Sequence, residues 1–166
     1  MCAFFDPPAL RRVPAGAYPL WDEALGLLNR DLAATLPDEE PLLLLGLTDE
    51  DENEDENEGE YVYVGRANGE WHGNRLEPDS AGDPLDALAA VADAAQDTVT
   101  ELLWRAWPLC AEHNLGMHVY EAEGQLSWWC SGGMDPRHPA HLRAAVGGLD
   151  ALLRPSRPHH RRRSRP

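Results

Sequence analysis

The chain has 166 residues, 43% of them hydrophobic, which suits one domain with a core of ordinary size, and it carries a formal net charge of −15. Such a charge repels nucleic acid and anionic membrane surfaces at long range, and the longest apolar stretch, residues 42–47, is far too short to cross a bilayer. Residues 1–14 hold no continuous apolar stretch of the kind a secretory signal needs, and three cysteines (Cys2, Cys110, Cys130) make an odd count for a disulfide framework, so a cytoplasmic protein with reduced thiols is expected.

Neither lysine nor isoleucine occurs. That bias fits a GC-rich genome and makes any single arginine or leucine less informative than usual. In chain order, Trp21, Ala24, Leu25, Leu28, Leu32 and Leu36 recur at helical spacing between Pro19 and Pro37 and predict a first amphipathic helix. Residues 42–47 read as a buried strand and residues 61–66 as a second, on either side of an acidic run. Asn68-Gly69 predicts a hairpin turn into a third strand over residues 70–76.

Asp83 can cap a long helix with Pro84 in its first turn, and Leu85, Leu88, Ala92, Ala95, Val99, Leu102 and Leu103 give it one apolar stripe. Strands are expected over residues 115–120 and 125–130, joined at Glu123-Gly124, followed by a last helix from Pro139 with Leu142, Ala145, Val146, Leu149 and Leu152 inward. The order α-β-β-β-α-β-β-α defines an α+β domain over residues 1–154, with helices on one side of a mainly antiparallel sheet.

Two segments read as loop or tail. Nine of the twelve residues in 49–60 are acidic, including a DENE duplication at 51–58, and six arginines fall among the last thirteen residues. Neither segment can bury a face, so a flexible loop and a disordered tail over residues 155–166 are expected. The loop carries oxygen ligands at EF-hand-like positions (Asp49, Asp51, Asn53, Asp55, Asn57, Glu60), but Glu54 stands where that motif needs a glycine for its turn, so a solvated charge run is the better reading. Asp86, Asp93, Asp97 and Glu101 lie on the polar face of the long helix and read the same way.

The chemistry-bearing residues gather late in the chain. Cys110 and His113 stand three apart after the long helix, Cys130 closes the second late strand, and His138 and His141 follow. Thiolate and imidazole are the ligands a tetrahedral zinc ion prefers, and a closed set of four is normally structural. Cys110, His113, Cys130 and His138 are the first-choice ligands, with His141 the alternative to His138. Cysteine is also a common core residue, and plain packing would place Cys130 beside Leu126 and Trp128.

Trp107-Pro108-Leu109-Cys110 with His113, followed by Trp128-Trp129-Cys130, resembles small uncharacterised actinobacterial proteins that carry a W-P-x-C-x-x-H knuckle and an aromatic-rich strand ending in cysteine. Those proteins more often have proline after the first cysteine, where this chain has Ala111. The resemblance implies no known activity.

The expectation at this level is a non-enzymatic protein-binding module of the immunity or inhibitor type, with a basic partner and a structural zinc clamp in its C-terminal half. Two alternatives stay open. One is a metal-dependent or cysteine-based enzyme using Cys110, His113 and Cys130, with His113 as a base. The other is phosphate or nucleic-acid binding through the arginine tail.

Overall fold

The computed structural model describes residues 9–48 and 60–153. Among these the fold is α+β, with two antiparallel three-stranded sheets and two α-helices. In order they are β1 (Ala9–Arg12), α1 (Pro19–Thr35), β2 (Leu43–Thr48), β3 (Tyr61–Gly65), α2 (Pro84–Leu103), β4 (His118–Ala122), β5 (Gln125–Cys130) and β6 (His141–Ala145), with 3-10 turns at Pro78–Gly82 and Leu149–Leu153. The acidic run up to residue 59 and the arginine tail lie outside the described residues, while Glu60, the last of the EF-hand-like positions, pairs with Arg11 of β1. No helix among the described residues is long and apolar enough to cross a membrane.

The helix α2 forms where its cap and stripe predict. The Asp83 side chain accepts from the amides of Leu85 and Asp86, and the helix ends at Trp104 in the left-handed region. Its inward face is mostly small (Ala87, Val91, Ala92, Ala94, Ala95, Thr98, Val99), which lets α1, β3, β4 and β5 approach it closely. One buried cluster results, drawing on both helices and both sheets. Polar anchors set the distances within it. The Thr98 hydroxyl donates to the Val64 carbonyl at 2.7 Å, and the Asn29 amide exchanges hydrogen bonds with the backbone of Leu42.

Two features correct the sequence reading. The segment expected as a third strand over residues 70–76 makes a single bridge, Gly65 to Trp71, with backbone hydrogen bonds from the Arg66 amide to the Glu70 carbonyl and from the Leu76 amide to the Val62 carbonyl, while the third place in the first sheet is taken by β1, whose residues Ala9 to Arg12 pair with Thr48 to Leu45. The expected last helix is instead β6 followed by a 3-10 turn. Leu142, Arg143, Ala144 and Ala145 have ordinary helix propensity, but the open edge of β5 supplies a ladder for them, and such tertiary pairing overrides propensity. Gly147 then blocks any helical continuation: it sits at φ +90°, and a Cβ there would meet the Leu27 side chain at 2.6 Å.

The two halves of the molecule are tied at Asp31. This carboxylate on α1 is fully buried and accepts three hydrogen bonds: from Trp128 Nε1 at 2.7 Å, from the Gly147 amide at 2.6 Å and from the Leu149 amide at 2.9 Å. Burial holds its carboxyl above the ordinary range, the three donors opposing that shift. Among the described residues no buried side-chain nitrogen or oxygen lacks a partner.

Replacing Asp31 with alanine leaves three buried N–H groups without an acceptor and is expected to cost about 3–5 kcal/mol in urea unfolding, with Asp31→Asn costing less. An acid whose folded-state pKa is raised contributes stability that is complete below its unfolded value, near 3.9, and is lost as pH rises through the folded value. The stability difference between the native chain and Asp31→Asn should therefore shrink as pH is raised from about 4. Urea titrations at a series of pH values check both statements.

Candidate metal centre

Between α2 and β4 the chain makes a knuckle. The Cys110 amide donates to the Leu115 carbonyl and the Asn114 amide to the Cys110 carbonyl, each at 2.8 Å, with Asn114 at a positive φ of 55°. Leu109 and Gly116 bridge its base, and the Met117 amide donates to the Pro108 carbonyl at 2.8 Å. This tight return puts Cys110 and His113 on one side. Both helices hold the knuckle. The Gln96 amide on α2 donates to the carbonyls of Trp107 (3.1 Å) and Met117 (2.8 Å), and Trp107 Nε1 donates to the Thr35 hydroxyl on α1 at 2.8 Å.

The other half of the site comes from the second sheet. Cys130, the last residue of β5, stands directly opposite His141, the first of β6. A cross-strand pair of this kind keeps two side chains about 4.5–5.5 Å apart at Cβ. The knuckle is thus set against a cross-strand pair, where the sequence reading expected a helix start.

Four ligand atoms meet there: those of Cys110, His113, Cys130 and His141 all lie within 4.8 Å of one another. The Cys110 Sγ is 3.4 Å from His141 Nε2 and 3.8 Å from His113 Nδ1, and the Cys130 Sγ is 3.4 Å from His113 Nδ1. Ligands at about 2.3 Å for sulfur and about 2.0–2.1 Å for nitrogen around a tetrahedral ion stand about 3.6 Å apart for each S···N edge. The three S···N edges straddle that value, and the group could hold a metal ion.

His138 lies outside the quartet. It is solvent-exposed, and its Nδ1 sits 3.3 Å from His113 Nε2, the ring nitrogen turned away from the two sulfurs. The structure therefore groups His141, rather than His138, with the two thiols and His113. What identifies His141 is its register opposite Cys130, and that register depends on β6, which the sequence reading took for a helix.

Outer contacts orient His141 and Cys130. Glu112 Oε2 faces His141 Nδ1 at 3.7 Å, an ion-pair distance, while Arg143 holds the other carboxylate oxygen at 3.0 Å. This leaves Nε2 of His141 for the cluster, as outer partners commonly do for ligating histidines. The Gly132 amide donates to Cys130 Sγ at 3.4 Å. Gly132 is at φ +75°, and a Cβ there would lie 2.4 Å from the His138 carbonyl oxygen, so only glycine fits this turn.

Both thiols are buried, and burial pushes the Cys130 thiol up. A raised, buried thiol is the opposite of what a thiolate nucleophile needs. The helix carboxylates Asp86, Asp93, Asp97 and Glu101 are all solvent-exposed. The four neighbouring tryptophans divide: Trp107 and Trp128 pack edge to face in the core, Trp129 is half-buried, and Trp104 is 93% exposed.

Comparison with protein-family models, curated proteins and solved structures finds no match for this chain.

The geometry separates the two histidines experimentally. His141→Ala is expected to abolish tight metal binding, whereas His138→Ala and Glu112→Ala should lower affinity only about 10–100-fold, as loss of an outer partner does. Competition of each purified variant against a chromogenic chelator measures the difference.

Proposed function

We propose that the quartet is a structural zinc clamp and that the protein is a non-catalytic binding module whose acidic surface engages a basic protein partner. The observation that carries the clamp is closure: two sulfurs and two imidazole nitrogens, from one knuckle and two neighbouring strands, lie within 4.8 Å of one another. Four protein ligands fill a tetrahedral zinc and leave no position for water or substrate, whereas catalytic zinc normally keeps one open.

The clamp would join segments up to 31 residues apart in the chain and fix the second sheet against the knuckle. Hydrogen bonds already hold the knuckle to both helices, so a metal there stiffens the C-terminal half. The partner reading rests on charge. A net charge of −15 speeds and selects encounters with a basic surface. No cytoplasmic address follows from the fold, and the expectation of a cytoplasmic protein stands on the sequence.

Protein purified without a histidine tag should carry one zinc per chain by elemental analysis. Because the ion binds only the folded state, free zinc at about 1,000 times its Kd should add about 4 kcal/mol of stability, and a chelator should lower Tm accordingly. Absence of metal, with no change in Tm on adding zinc, would remove the clamp. The partner reading is tested separately by affinity capture from a native lysate at low salt, and recovery of no basic protein counts against it.

A further inference from the structure

A cavity of about 500 Å³ lies between the end of α1, the knuckle and the 3-10 turn after β6. That size falls within the range of small-molecule sites, about 300–1,000 Å³. Its floor includes Trp107, Met117 and Leu149, all buried, and its mouth includes the half-exposed Leu109 and Leu152. The charge of its lining is opposite to that of the protein. Asp and Glu outnumber Lys and Arg by 29 to 14 in the chain, yet among the described residues no carboxylate lines this cavity, while two arginines, Arg105 and Arg143, do.

These arginines are not equivalent. Arg143 is neutralised by Glu112 at 3.0 Å. Arg105 follows the end of α2, is solvent-exposed, and pairs with no carboxylate among the described residues. Asn114 adds an amide that can donate a hydrogen bond at the same wall. An apolar floor, one uncommitted guanidinium and one amide match a ligand with an apolar body and a single anionic head.

We infer that this cavity binds a small apolar carboxylate, with the hydrocarbon on Trp107, Met117 and Leu149 and the carboxylate on Arg105. This goes beyond the clamp and the partner reading and requires neither. The knuckle supplies one wall through Trp107, Leu109, Cys110 and Asn114, so whatever stiffens the knuckle also shapes the cavity.

Isothermal titration calorimetry of the full-length chain with decanoate, below its micelle concentration, tests it. Saturable binding of one decanoate per chain is expected, with decanol about tenfold weaker because the charge-assisted contact is missing. Arg105→Ala should weaken decanoate about tenfold and leave decanol unchanged. Ala34 lines the cavity from α1 and is half-buried, so Ala34→Phe should block both ligands in a chain whose circular dichroism is unchanged. No saturable decanoate binding overturns the inference. So does equal affinity for decanoate and decanol, or binding that survives Ala34→Phe in the folded variant. Repeating the titration after chelation keeps the two readings apart: decanoate binding with no metal present would uphold the cavity while the clamp fails.

Discussion

The fold turns on a buried carboxylate that three N–H groups share. Asp31 reaches from α1 to the indole of Trp128 on β5 and to the amides of Gly147 and Leu149 just past β6. It thereby fixes β5 and the end of β6 against the first helix. An uncompensated carboxylate in such a place would be strongly unfavourable, and full satisfaction by three donors is what makes it tolerable. The consequence lies at the other end of the same two strands. The pairing of β5 with β6 shifts register between Trp128 and Trp129, and beyond that shift Cys130 and His141 face each other, so the knuckle needs only to deliver Cys110 and His113 opposite them.

The delivery of those two residues is equally determined. Gln96 and Thr35, one from each helix, hold the backbone and indole at the knuckle's base. Trp107 packs edge to face on Trp128, which is itself bonded to Asp31. Core aromatics, a buried acid and a helix amide therefore form one connected scaffold, and the Cys/His quartet stands at its rim. Such preorganisation reduces the ordering a metal would otherwise have to impose.

The sequence makes legible those elements whose signals are local. The stripe and cap of α2, the Trp21 to Leu32 periodicity of α1, the β-rich runs of β2 and β3 and the turn at Glu123-Gly124 are all realised. The elements that depend on distant partners could not be read in this way. Ala9–Arg12 has no alternation of its own and becomes a strand because β2 has a free edge, and His141–Ala145 reads as helix until Cys130 and Trp128 offer it a ladder. The candidate site follows the same division. Cys110 and His113 are recognisable by spacing, and Cys130 by its place at the end of a strand. The choice between His138 and His141 depended on a strand register that no local signal carries.

The most direct test of this account is zinc K-edge X-ray absorption on the purified chain after stoichiometric zinc addition. The account predicts two sulfur ligands at about 2.3 Å and two imidazole nitrogens at about 2.0–2.1 Å, with no bound water. Coordination dominated by oxygen, or a sulfur-free shell, would contradict it.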